Sequence, residues 1–144
     1  MDVVGLYPSI PQDEALDLIR TKLINDTELI SRTKIPAETI IKLLKICMDN
    51  TYFHFNGKMY RQIYGLPMGA PTSGFAADIF MQALERRALA TFANPPRIWK
   101  RYVDDGWAVI LLIFLMAFLD HLNALHRRIK WRPMKKWLSV ASHI

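Results

Sequence analysis

The stretch Ile98-Trp-Lys-Arg-Tyr-Val-Asp-Asp-Gly-Trp-Ala-Val-Ile-Leu-Leu112 decides the fold. Residues 98–103 read as a strand, Asp104-Asp105-Gly106 as a turn and residues 107–112 as a second strand. An Asp-Gly step between two apolar runs is the signature of a tight hairpin. One aspartate in a turn needs no further account, since its side chain favours turns. Two adjacent carboxylates repel each other unless positive charge lies beside them, so the pair following Arg101-Tyr102-Val103 points to function.

A divalent-cation site draws hard oxygen ligands from more than one chain segment. Asp2, surrounded by Val3, Val4 and Leu6, supplies a third carboxylate on a strand expected over residues 2–7. If the two strands lie side by side, the three carboxylates meet, roughly under 8 Å apart. Two metal ions about 3.5–4 Å apart would then serve an in-line phosphoryl transfer.

Pro11, Asp13 and Glu14 open a helix with Ala15, Leu18, Ile19 and Leu23 on one face. Pro36 and Glu38 open another, with Ile40, Leu43, Leu44 and Cys47 as its stripe, which makes Cys47 a core residue. The period then changes. Tyr52 to Phe55, Asn56-Gly57 and Lys58 to Tyr64 predict a hairpin. The segment from Gly65 to Gly74 holds three glycines and two prolines, so it reads as a shaped loop. A long helix is expected over 75–92 and a last one over 115–129. The order β-α-α-β-β-α-β-β-α predicts an α+β fold with mostly antiparallel pairing.

The chain has 144 residues, 51% of them hydrophobic and 22% charged, which excludes a disordered polymer. A single cysteine excludes a disulfide scaffold and a cysteine-rich zinc site. The +6 charge is misleading: residues 1–120 hold 13 basic and 13 acidic side chains, and 121–144 hold six basic and none acidic. The longest apolar run, residues 107–119, is shorter than the roughly 18–20 needed to cross a bilayer. It is expected to be a buried strand entering a buried helix; a membrane-associated hairpin is the alternative.

The segments Asp2-Val-Val-Gly-Leu-Tyr-Pro-Ser-Ile-Pro11, Gly65-Leu-Pro-Met-Gly-Ala-Pro-Thr-Ser73 and Arg101-Tyr-Val-Asp-Asp105 resemble, in order, the A, B and C motifs of reverse transcriptases. Tyr52-Phe-His-Phe-Asn-Gly-Lys-Met-Tyr-Arg-Gln62 and Phe118-Leu-Asp-His-Leu-Asn123 are most similar to the Penelope-like retroelement branch. The resemblance covers residues 2–131. It implies a polymerase palm, an antiparallel sheet covered by helices, with part of the fingers, and RNA-directed DNA synthesis on a primer 3′-hydroxyl. The implied partners are an RNA template, a DNA primer and deoxynucleoside triphosphates, with two Mg²⁺ (or Mn²⁺) ions and a nuclear site by analogy.

Residue by residue, the resemblance makes Asp2, Asp104 and Asp105 the catalytic, metal-binding carboxylates, with the Val3 carbonyl as a further ligand. Tyr7 would sit beneath the sugar and exclude a ribose 2′-hydroxyl by a repulsive contact; a packed core tyrosine is the alternative. Gly65, Pro67, Met68 and Gly69 would bed the nucleotide and template base. Many members of the family have glutamine where this chain has Met68, so contact there would be by packing. Lys58 and Arg61, on the hairpin beside this loop, would approach phosphate or else are two solvated strand charges, and Tyr102 would touch nucleic acid. Family polymerases carry segments before the first aspartate and after motif C that are not in this sequence. Past residue 131 the family turns acidic, whereas this chain reads Arg132-Pro-Met-Lys-Lys-Trp-Leu-Ser-Val-Ala-Ser-His-Ile144. A shift of reading frame would account for that basic tail, so residues 132–144 are expected to pack poorly, with Trp137, Leu138 and Val140 unburied. The expected product is a truncated domain of weak or no activity. The alternative is a non-catalytic retroelement relic with at most weak nucleic-acid binding.

Overall fold

The computed structural model describes residues 1–133. The elements are β1 (Asp2–Val3), α1 (Leu6–Ser9), α2 (Gln12–Ile24), α3 (Leu29–Arg32), α4 (Ala37–Asp49), β2 (Tyr52–Phe55), β3 (Lys58–Arg61), α5 (Pro71–Thr91), β4 (Ile98–Tyr102), β5 (Asp105–Val109), α6 (Leu112–Leu125) and β6 (Trp131–Arg132). The fold is α+β, and each described strand pairing is antiparallel. Two compact units emerge: Met1–Leu6 with the chain from Gln82 onward, and Tyr7–Met81.

The first unit is built on a four-stranded sheet in the order β4-β5-β1-β6. Strand alternation sorts its side chains by face. Val3, Gly106 and Trp131 are buried on the inner face, while Tyr102, Asp105, Trp107 and Val109 are exposed on the other. Helix α6 supplies Phe118, Leu119 and Leu122 to the core. Trp99 stands edge-on to both Phe118 and Trp131, each at 5.5 Å between ring centroids. Burying side chains of this size stabilises the fold by roughly 1.5–3 kcal/mol each. Strand β6 is fastened by Asn123, whose side chain accepts from the Trp131 amide at 2.7 Å and donates to the Trp131 carbonyl at 3.1 Å.

In the second unit α2 buries Ala15, Leu16 and Ile19, and α4 buries Ile41 and Met48. Arg20 on α2 bonds Glu38 at the start of α4 at 3.1 Å. The β2–β3 hairpin follows, with Asn56 and Gly57 both at positive φ, 47° and 74°, the conformation a two-residue type I′ turn requires.

Several expectations are corrected. The first strand stops at Val3 because Gly5, at φ 55°, turns the chain into α1. Pro8, which follows the expected strand, lies in the first turn of that helix, where its missing N–H has no intrahelical partner to lose. Helix α5 begins at Pro71, a favoured first position. The last helix is Leu112–Leu125, and the segment after it forms β6. Cys47 is exposed; the buried stripe of α4 runs through Ile41 and Met48, one residue out of phase with the expected one. The apolar run 107–119 is buried only at its end: Trp107, Leu111, Leu112, Ile113 and Met116 are exposed. No helix among the described residues is long and apolar enough to cross a membrane. Trp137, Leu138 and Val140, on which the tail expectation rests, lie outside the described residues. Arg132, taken as the start of that tail, is paired in the sheet.

Candidate functional site

The site is set by strand register. Asp2 faces Asp105 across β1 and β5. The Val3 amide bonds the Asp104 carbonyl at 2.9 Å and the Gly106 amide bonds the Met1 carbonyl at 2.8 Å. Those bonds flank the Asp2–Asp105 pair, which makes it a non-hydrogen-bonded pair, the kind with Cα atoms about 4.5 Å apart and side chains closest together. Both carboxylates therefore share the exposed face of the sheet. Tyr102 opposes Asp105 from β4 and shares that face, 82% exposed.

Two carboxylates in such a pair attract cations; one cation lies against Asp2 and another is nearby. Arg132, opposite Asp2 in β6, holds one Asp2 carboxylate oxygen at 2.7 Å through Nε and 2.6 Å through Nη2. The Met1 ammonium donates to the Gly106 carbonyl at 2.9 Å. Burial lowers its pKa, and the nearby Asp105 and Asp2 charges oppose that shift. The donor chemistry of this pair fits a hard cation. Asp104 sits in the turn, and among the described residues no three His, Cys, Asp or Glu side chains stand grouped as a ligand set.

The turn differs from the one expected. Tyr102 pairs with Asp105, so the two turn residues are Val103 and Asp104, and Asp105 and Gly106 belong to β5. Val103 takes φ 54°, a left-handed conformation costly for a β-branched residue. Gly106 serves close packing instead of the turn. A Cβ there would lie 2.7 Å from the Trp131 ring and 3.1 Å from Trp99. Behind the tip, the Arg101 guanidinium donates to the Val103 carbonyl at 2.9 Å and to the Glu85 carboxylate of α5 at 2.5 Å.

In the second unit, the Tyr7 carbonyl accepts from the Leu66 amide at 2.8 Å, which ties the Tyr7 segment to the 65–69 loop. Gly65, at φ 74°, lets the loop lie against Pro8, whose carbonyl oxygen would be 2.6 Å from an added Cβ. Its freedom is spent on a chain-to-chain contact. Gly69, at φ 82°, has open space where a Cβ would stand. Pro67 is buried and Met68 is 72% exposed. The register of the β2–β3 hairpin puts Lys58 on one face with Phe53, Phe55 and Tyr60, and Arg61 on the other with Tyr52, His54 and Met59. Phe53 and Tyr60 are stacked at 5.6 Å. All these side chains are exposed.

The sequence reading missed three site residues. Arg132 was assigned to the tail, and nothing in its neighbourhood signals a strand. Lys100 opposes Trp107 on the exposed face that carries Asp105; counting alternate residues back from Tyr102 would have found it. Glu85 is a buried acid beside Leu84 and Ala88 on α5. A charge in an apolar helix stripe demands a partner, and that demand was legible.

No protein-family model matches the chain. Over 88 residues it is 35% identical to the telomerase reverse transcriptase of Oxytricha trifallax. The similarity is to a reverse transcriptase. It covers 58% of this chain and 8% of that protein, so the chain spans a small part of the relative's length. No solved structure matches. These findings support a reverse-transcriptase-like relationship.

Proposed function

We propose that the chain is a palm-type segment of an RNA-directed DNA polymerase, of the Penelope-like branch of reverse transcriptases. The observation that carries the reading is the placement of Asp2 directly opposite Asp105, on the exposed face beside the Val103-Asp104 turn. The partial likeness to a reverse transcriptase supports it from a separate direction.

Asp2, Asp105 and Asp104, with the Val3 carbonyl, would hold Mg²⁺ or Mn²⁺. Bound there, the ions would lower the pKa of a primer 3′-hydroxyl and neutralise triphosphate charge. The chain's own residues would do the rest. Asp2 would exchange its Arg132 partner for the ion. Tyr102, Lys100 and Trp107 share the exposed face and would meet the primer or template backbone. Tyr7 and the 65–69 loop would select and bed the deoxynucleotide. On the hairpin, Lys58 with Phe53, Phe55 and Tyr60 joins a cation to aromatic faces on which bases stack. Nuclear location and retroelement origin belong to the same reading.

A second reading is favoured by one observation: the Arg132 guanidinium already satisfies Asp2. On that reading the chain is a non-catalytic relic. Primer extension on a primed RNA template with Mg²⁺ separates the two. Weak, non-processive extension abolished by Asp105→Asn supports the polymerase reading. No extension by the wild-type chain or by Arg132→Ala, at protein concentrations that saturate the template, supports the relic.

A further inference from the structure

We infer that Glu85 and Arg101 form a positioning device that fixes the Asp104–Asp105 tip from the core side of the sheet. The inference rests on the tip being the polymerase reading's metal-binding element. Four observations join. Arg101 lies on the inner face of β4, opposite Gly106, so its side chain runs behind the carboxylates that emerge on the outer face. It is almost fully buried, with 7% of its side chain exposed, and its Glu85 partner is 10% exposed. The same guanidinium reaches the Val103 carbonyl at 2.9 Å. Val103 itself is held at φ 54°.

A β-branched residue in the left-handed region persists only where its surroundings over-determine it. Arg101 is placed to do this, because a planar fork can bond a carboxylate and a carbonyl at once, whereas a lysine is a single flexible point charge. Glu85 fixes the fork to α5. The chain of contacts then runs from helix to guanidinium to carbonyl to the two aspartates that follow it. Register sets Arg101 on the face opposite to that of Asp105, so the pair acts through the tip and not on a ligand.

The test is made on the whole 144-residue chain by NMR, with Mn²⁺ as the probe. The variants are Arg101→Lys, Glu85→Gln and the double change Glu85→Met with Arg101→Met. In a folded Arg101→Lys chain, judged by unchanged shifts at α6 and the β2–β3 hairpin, amide exchange at Asp104, Asp105 and Gly106 is expected to accelerate. The affinity read from Mn²⁺ broadening at these amides and at Asp2 is expected to fall about 10–100-fold, the range for groups that orient metal ligands. Glu85→Gln retains a hydrogen-bonding oxygen and is expected to show a smaller change in the same direction. If either single variant does not fold, the double variant decides, since removing both charges avoids leaving one buried and unpaired. Unchanged exchange and unchanged Mn²⁺ broadening in a folded variant overturn the inference. A wild-type chain that shows no Mn²⁺ broadening overturns the metal reading instead, and tip exchange in the variants still decides the positioning role.

Discussion

Among the described residues, two tight hairpins reach the same topology by opposite means. In the β2–β3 hairpin, Asn56 and Gly57 adopt positive φ, and both strands are exposed throughout. Its turn is a local property of two residues suited to that conformation. In the β4–β5 hairpin the turn is Val103-Asp104, and valine is among the residues least suited to φ 54°. There the conformation is imposed by its surroundings: β1 bonded along β5, the Arg101–Glu85 pair behind the tip, and two tryptophans against Gly106. A turn encoded by its own residues can stand alone. A turn imposed by its surroundings fails when they do, and strain of that kind gathers at functional sites.

The largest effect should come from cutting the support of the imposed turn. Glu85→Ala leaves the buried Arg101 guanidinium without its carboxylate. Removing one partner of a buried pair destabilises by about 3–5 kcal/mol. Urea unfolding followed by tryptophan fluorescence should register a loss of this size. A loss below roughly 1 kcal/mol, the range of exposed ion pairs, would show that water relieves the charge and that the turn does not depend on the pair.

Next in size is Gly106→Ala. The added carbon would lie 2.7 Å from the Trp131 ring, and overpacking of this sort typically destabilises by about 1–3 kcal/mol. A shift in Trp131 or Trp99 emission should accompany the loss. No change in either would mean that β6 moves away freely and adds little to the sheet.

The same contrast explains what could be read from the sequence. The turn of the β2–β3 hairpin was legible to the residue because Asn-Gly carries its turn type within itself, although the second strand ends at Arg61 and not at Tyr64. The second hairpin was legible as a hairpin, and the facing of Asp2 and Asp105 followed from its lying beside β1, but its turn was placed too late. Asp105-Gly106 imitates a turn signal while Gly106 answers to Trp131, whose strand lies far along the chain. Strand β6 was missed for a related reason: two residues held by Asn123 and by pairing with β1 carry no periodicity of their own. Cys47 was placed in the core because the apolar residues of α4 allow two adjacent stripes, and packing against α2 selected the other. Glu85 shows the reverse case, a tertiary contact announced by a charge where burial forbids an unpaired one.

Gly57→Ala should have a smaller and strictly local effect. Nothing lies within 4 Å of an added Cβ, so the penalty is conformational alone, about 1–2 kcal/mol for an L-residue held left-handed. Amide exchange should quicken across Tyr52–Phe55 and Lys58–Arg61 and remain unchanged at β4, β5 and α6. Propagation into those elements would mean that the exposed hairpin is not an independent local structure.

The smallest effect, and the one that separates the two kinds of turn most sharply, is Val103→Gly. Glycine tolerates φ 54° without the Cβ penalty of about 1–2 kcal/mol, but it adds freedom to the unfolded chain worth roughly 0.4–1 kcal/mol. The difference should be a stabilisation of between zero and about 1.6 kcal/mol, measured as a small rise in Tm. Val103 is 41% exposed, so little packing is lost with its side chain. Stability and precision should then part company. A glycine at the tip relieves strain while widening the range of conformations open to Asp104, so exchange at Asp104 and Asp105 should quicken even as Tm rises. A clear fall in Tm would mean that the valine side chain is held by contacts worth more than its backbone strain, and the turn would then be specified by packing at the tip itself and not by the guanidinium behind it.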